Sequence, residues 1–256
     1  MNPVPYPRAE GRPLVLGHRG ASGEAPENTM AAFRRAMDAG ADGVELDVWR
    51  CGSGEVVVIH DEDGRRTAGS SLRVTGATLA RLRELDVGAW RGASFRGERI
   101  PRLEEVLEAF PGAVVNVEMK AGRVPDPRLA ARVACIVRDL AATERVVVSS
   151  FSCSLLAAFR ALSPRVPSAY LVAPGRLWEA RARACTALAR TNGIHPEHGL
   201  VTGTRLRAWR ARGLAVGTWT VDAPAEVDRL ARLGVDAVVS NHPGTAREVV
   251  RRATGR

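Results

Sequence analysis

The sequence predicts a distorted (β/α)8 barrel, and three observations lead to it. Strand-like apolar runs and helix-like amphipathic runs alternate almost from end to end, as in a parallel sheet joined by crossover helices. A length of 256 residues, 45% of them hydrophobic and 25% charged, suits one such barrel with one core. In the first half, four apolar runs close on ionisable residues: L-V-L-G before His18-Arg19, then G-V-Glu45-L-Asp47-V, V-V-V-I before His60-Asp61, and V-V-N-V-Glu118-M-Lys120. Barrels build active sites at strand ends in this way.

Taken in chain order, the candidate strands lie near 14–18, 43–48, 55–60, 113–119, 145–150, 168–172, 192–195, 215–221 and 235–240, each a Val/Ile/Leu-rich run bounded by polar or turn residues. Helical patterns fill about 28–39, 102–110, 127–141, 153–162, 176–190, 203–212, 223–233 and 244–252. Pro26 before the first helix, Gly40 after it, Pro101 at the second, and Ser152 and Thr202 at N-cap positions agree with these limits. Nine strand candidates for eight places leave one to be peripheral, and the short run containing His195 is the weakest. Only W-R-C-G-S-G separates Val48 from Glu55, too little for a crossover helix, so the second and third strands are joined abnormally. A small insertion, about 62–99, follows the third strand and carries one helical patch, T-L-A-R-L-R-E-L; in a barrel such an insertion shapes the active-site mouth. The whole chain, 1–256, reads as one domain.

Side chains two apart on a strand share a face, so Glu45 with Asp47, and Glu118 with Lys120, point the same way. Clustered charge on strands this apolar needs a metal or an anion beside it. Of the 37 Lys and Arg residues, Lys120 alone is a lysine. An ammonium kept two residues past a strand carboxylate marks a place where a compact charge fits and a wide guanidinium does not.

The formal net charge of +9 raises nucleic-acid binding, but the arginines are interspersed with acids at helical spacing, as on solvated outer helices. Even the dense clusters around Trp178 and Trp209 fit helices with one aromatic packed inward, so no nucleic-acid partner is expected. No apolar run reaches the ~18 residues that span a bilayer, which excludes stable membrane insertion by a helix. The opening M-N-P-V-P-Y-P-R lacks the apolar core of a secretion signal, and the address expected is cytoplasmic. The four cysteines show no C-x-x-C pairing and do not suggest zinc.

With these motifs in view, the chain resembles the glycerophosphodiester phosphodiesterase family, related in fold to the phosphatidylinositol-specific phospholipases C. The resemblance covers nearly the whole length and rests on His18-Arg19-Gly20-Ala21-Ser22-Gly23, Glu27-Asn28-Thr29, Glu45-Leu46-Asp47-Val48, Val58-Ile59-His60-Asp61 and Val117-Glu118-Met119-Lys120 in order, then Ser149-Ser150-Phe151 and Trp219-Thr220-Val221-Asp222. One departure stands near the last strand: where the family usually has a Thr-Asp pair before Pro, this chain has Ser240-Asn241-His242-Pro243. No role is carried onto Asn241 or His242.

What the resemblance implies is a phosphodiesterase with His18 and His60 as general acid and base, Glu45, Asp47 and Glu118 on one divalent metal, and Arg19 and Lys120 on the phosphate. Three carboxylates without cysteine form a hard oxygen site suited to Mg²⁺ or Ca²⁺. Glu27 and Asn28 are read either as a helix start or as supports behind the site. Trp219 is read either as core or as a wall of the substrate site, and His195, His198 and His242 are left structural or on the substrate side. The implied partner is a small-molecule glycerophosphodiester, cleaved to glycerol 3-phosphate and an alcohol. The alternatives are a lysophospholipase D-type phosphodiesterase, which needs an apolar groove, and a non-catalytic phosphodiester-binding module.

Overall fold

The structure, a computed structural model, describes Pro7 and residues 11–255. Eight parallel strands close the barrel: β1 (Leu14–His18), β2 (Gly43–Arg50), β4 (Val114–Met119), β5 (Val146–Ser150), β6 (Ser168–Val172), β7 (Gly193–Pro196), β8 (Ala215–Thr218) and β9 (Ala237–Ser240). Closure comes from β1, which pairs with both β2 and β9. The helices α1 (Met30–Asp38), α4 (Leu103–Ala109), α5 (Pro127–Asp139), α6 (Cys153–Leu162), α7 (Trp178–Leu188), α8 (Gly203–Ala211), α9 (Pro224–Leu233) and α10 (Pro243–Thr254) connect the strands or close the chain. The barrel expectation is borne out.

Local chemistry accounts for the alternation. The Thr29, Ser152 and Thr202 hydroxyls accept the amides of Ala32, Leu155 and Arg205, satisfying donors that a helix start leaves free. Helix α5 buries Leu129, Ala130, Val133, Ala134, Ile136 and Val137, the one-sided stripe that packs it on the sheet. Each fully buried Leu, Ile or Val contributes roughly 1.5–3 kcal/mol through water exclusion. On the arginine-rich helices, Trp209 is buried in the core, while Trp178 is half-buried with Arg205 4.8 Å over its ring, the same Arg205 donating to Glu179.

One expectation is corrected. The spare ninth strand is not the run containing His195, which forms β7 and pairs in parallel with β6 and β8. It is β3 (Val56–Val58), antiparallel to β2 with Val48 opposite Val58 and Arg50 opposite Val56. Six residues suffice for a hairpin but not for a crossover, so the chain must turn back. This reversal matters for the site, because β2 overshoots the rim and β3 returns from it. The Ile59 amide then donates to the Asp47 carbonyl (3.0 Å), which sets His60 beside the second-strand carboxylates.

The insertion holds two short helices, α2 (Arg65–Ala68) and α3 (Leu79–Leu82), where one longer helical patch is expected. Val74, Leu82, Val87 and Ile100 pack with Trp49, Val57 and Ile59 in a separate apolar cluster. Asp86 organises the segment's turn, accepting the amides of Gly88, Ala89 and Gly97. Among the described residues no helix is long and apolar enough to cross a membrane.

Candidate active site

Strand register assembles the site in layers. His18 lies opposite Glu45, Glu45 opposite Asn116, and Asp47 opposite Glu118. Because side chains alternate, Val44, Leu46, Val117 and Met119 join the core under the helices while the polar residues between them face the lumen. Glu45, Asp47 and Glu118 consequently present carboxylate oxygens that all lie within 4.8 Å of one another. Burial is nearly complete for Asp47, at 1% exposure.

The cations are arranged against this charge. Lys120 Nζ sits 2.8 Å from Glu118 Oε1 and 3.2 Å from Asp47 Oδ1, while Arg19 Nε lies 3.2 Å from Asp47 Oδ2 and Arg19 Nη1 donates to Glu27 Oε1 (2.9 Å). Arg19 has a left-handed backbone (φ 53°), and its amide donates to Glu45 Oε2 (3.0 Å). Gly20 at φ +83° follows it, and a Cβ there would come within 2.5 Å of the Ala32 carbonyl carbon. Asn28, also left-handed, places its Nδ2 on Asp47 Oδ2 (2.8 Å) and accepts the Asp47 amide. The Glu27-Asn28-Thr29 run thus serves both readings, with Thr29 capping α1 and its two neighbours braced against the site.

Ionisation of the three acids is uneven. Burial, then the charges of Asp47 and Glu118, hold the Glu45 carboxyl well above the usual range. Glu118 is pushed up to about 7 by burial and by Asp47, with Lys120 opposing. Burial works against Asp47 as well, yet Lys120 and Arg19 together keep it below the ordinary value. Two cations therefore do not fully offset three buried carboxylates.

Both predicted histidines border the same small cavity, about 80 Å³ and open to solvent. His18 Nδ1 bonds Asn241 Oδ1 (2.7 Å), and its Nε2 lies 4.0 Å from Glu45 Oε2. Burial and then the Arg19 charge lower the His18 pKa. His60 Nδ1 bonds Asp61 Oδ1 (2.7 Å), and Asp61 is in turn held by Arg66, which also bonds Glu27. Trp219 is in the cavity wall, its ring 5.6 Å from and perpendicular to Phe151, its Nε1 donating to the His195 carbonyl (2.8 Å). All ten residues singled out in the sequence thus converge: seven line the cavity, Asp47 lies behind them against Arg19 and Lys120, and Glu27 and Asn28 brace Arg19 and Asp47.

Two further contributors lie outside the residues singled out in the sequence. Asn116 faces the cavity between Glu45 and Glu118, and the same two-residue period that links Glu118 to Lys120 would have found it. Asn241, at the departure from the family pattern, holds His18. His195, left structural or on the substrate side from the sequence, lines the cavity, its pKa lowered to about 4 by burial, and a Cβ on Gly217 would come within 2.7 Å of its ring. His198 instead bonds Glu226, away from the cavity.

The residues present fit a hard divalent cation. Every donor is an oxygen, the acids gather at one point, and the buried Asn116 Oδ1 has no protein partner. The raised Glu118 pKa carries a sign: in metal-free protein the folded state holds a proton that the unfolded state releases between pH 4.5 and about 7. Stability from this group is thus complete below the unfolded value and lost as pH rises through the folded one, by at most ~3 kcal/mol. Glu118→Gln, under chelation, is expected to gain stability relative to the parent as pH rises from 5 to 7; a constant difference in melting temperature would contradict the shift.

Comparison with known proteins agrees with this architecture. The profile of the glycerophosphoryl diester phosphodiesterase family matches residues 18–245, from the first site histidine to the last helix. A glycerophosphodiester phosphodiesterase of Caldanaerobacter subterraneus subsp. tengcongensis is 35% identical over 243 residues, spanning 93% of this chain and 98% of that one. An Oleispira antarctica phosphodiesterase solved with its product sn-glycerol-3-phosphate superposes with a TM-score of 0.83 at 28% identity, covering 93% and 97% of the two chains. A glycerophosphodiester phosphodiesterase of Agrobacterium tumefaciens gives a TM-score of 0.79 at 29% identity, over 92% and 99%. The resemblance read from the motifs is borne out along nearly the whole sequence: this chain belongs to the glycerophosphoryl diester phosphodiesterase family.

Proposed function

We propose that this protein is a metal-dependent phosphodiesterase that hydrolyses glycerophosphodiesters to glycerol 3-phosphate and an alcohol. The observation that carries the reading is the convergence of three carboxylates, two cations and two anchored histidines on one cavity. Glu45, Asp47 and Glu118 would hold the ion, Mg²⁺ or Ca²⁺ by their chemistry, and when bound it supplies positive charge where the phosphoryl oxygens gain negative charge. Arg19 and Lys120 orient the phosphate monoanion. Each imidazole is anchored at Nδ1, so Nε2 is the atom left for the reaction. One Nε2 takes the proton of the attacking hydroxyl and the other delivers a proton to the departing alkoxide. The neighbouring glycerol hydroxyl is the attacking group in this scheme, giving a cyclic phosphate that water then opens.

A lysophospholipase D-type reading has one observation in its favour: a groove leading off beside Lys120 has apolar walls from Trp49, Val124, Pro125 and Leu129, though Arg50, Glu62, Arg123, Asp126 and Arg128 also line it. A panel separates the possibilities. Purified protein with a divalent ion is expected to cleave glycerophosphocholine and glycerophosphoethanolamine with release of glycerol 3-phosphate, and to leave a diester lacking the adjacent hydroxyl uncut. Faster turnover of lysophospholipids would favour the second reading, and no turnover of any diester would overturn both.

Lys120→Arg probes the cation within the cavity. The ammonium has carboxylates at 2.8 and 3.2 Å and is only 14% exposed, so a guanidinium must displace a carboxylate or the phosphate. The variant is expected to fold normally and lose at least ~tenfold in kcat/KM, a transition-state loss of ~1.4 kcal/mol. Parental kinetics would remove Lys120 from the site.

A further inference from the structure

His18 is held by a two-step hydrogen-bonded chain drawn from three neighbouring strand ends. His18 closes β1, Asn241 follows β9, and Asp222 lies beyond β8, with the Val221 amide donating to the Val239 carbonyl to join the last two segments. Asn241 Nδ2 donates to Asp222 Oδ2 (2.6 Å), and Asp222 Oδ1 accepts the Asn241 amide (2.8 Å) and the Ser240 hydroxyl (3.0 Å). An ionised carboxylate can only accept, so the Asn241 NH₂ has to face Asp222 and the Asn241 carbonyl has to face the other way. On that side Asn241 Oδ1 takes the Ser22 hydroxyl (2.7 Å) and His18 Nδ1 (2.7 Å). A carbonyl also can only accept, so in the neutral ring Nδ1 carries the hydrogen and Nε2 the lone pair.

We propose that Asn241 and Asp222 are positioning residues for His18: Asp222 sets the orientation of the Asn241 amide, and the amide sets the tautomer that turns the lone pair of Nε2 toward the cavity. The inference rests on the functional reading above for its kinetic consequence, but not for the tautomer itself. It also gives the departure Ser240-Asn241-His242-Pro243 a physical meaning. At this departure the chain has a neutral amide, Asn241, with the carboxylate of Asp222 one hydrogen bond behind it. The two side chains form one unit, and each single change should damage what the exchange of both repairs.

The test is a double-mutant cycle of Asn241→Asp, Asp222→Asn and the exchanged pair, read by ring-nitrogen NMR of metal-free protein and by steady-state kinetics. In the parent, His18 is expected to show a protonated Nδ1 and an unprotonated Nε2. Asn241→Asp sets two carboxylates face to face, and Asp222→Asn leaves the amide free to turn its NH₂ toward His18 and favour the opposite tautomer. Each single variant is expected to lose ~tenfold in kcat with KM within about twofold, and the exchange to recover kcat to within about threefold together with a single tautomer. A merely structural pair would move melting temperature and KM without changing the ring nitrogens. Should Asn241→Asp fail to fold, the parental spectrum together with Asp222→Asn and the exchanged pair still decides. Protonation of Nε2 in the neutral parental ring, unchanged kinetics in Asp222→Asn, or losses in the exchanged pair equal to the product of the single losses would each overturn the proposal. If the protein cleaves no diester, the spectrum still separates this inference from the functional one.

Discussion

Replacing His18 or His60 by alanine is expected to lower kcat by about 10²–10⁴, the usual contribution of a positioned general acid or base, while metal affinity is kept. Neither ring is among the clustered carboxylates, so the acids persist in both variants. The folds should also survive, because both rings border a solvent-open cavity and contribute little to the packed core. The two losses correspond to ~3–5 kcal/mol of transition-state stabilisation each, and they should combine less than additively if the histidines act in one proton circuit. Single-turnover kinetics of the two single variants and the double variant checks this, and near-parental turnover in either single variant removes that residue from the mechanism.

Glu45→Gln and Asp47→Asn carry the second large effect, and they separate catalysis from stability. Three buried carboxylates repel one another without an ion between them, and burial with its two acidic neighbours opposes the charge on Glu45, so Glu45→Gln should leave the metal-free protein as stable as before or more so. The same change removes a ligand and an anionic charge from the ion, and turnover should fall to background at metal concentrations that saturate the parent. Melting curves with and without the ion report this: the parent should gain melting temperature on adding it, rising with the logarithm of ligand excess over Kd, and the variants should gain little. Asp47→Asn has an added cost, since Lys120, Arg19 and Asn28 all address that carboxylate and lose their acceptor.

How much of this was legible in the sequence differs by residue, for physical reasons. The barrel strands and their outer helices were readable because burial on both sides enforces continuous Val/Ile/Leu runs and because cap chemistry is local, as at Ser152 and Thr202. Glu45, Asp47, Glu118 and Lys120 followed from the two-residue period of a strand. His60 was found for a partly mistaken reason, since a run of V-V-V-I reads the same whether its strand is parallel within a barrel or antiparallel at its rim. The short β7 was undervalued because four residues carry little periodicity, while its position comes from pairing on both sides. Asn116 is legible from the face it shares with Glu118, two residues along the same strand. The link from Asp222 through Asn241 to His18 was not legible at all, because it joins residues 223 positions apart through the closure of β9 on β1.

The central claim, hydrolysis that depends on an ion held by Glu45, Asp47 and Glu118, is tested most directly by assaying glycerol 3-phosphate release from glycerophosphocholine before chelation, after exhaustive chelation, and after adding back Mg²⁺ or Ca²⁺. The expected result is activity that vanishes with the chelator and returns with at least one of the two ions in the parent, but not in Glu45→Gln. Full activity from protein shown by elemental analysis to contain no metal would contradict it.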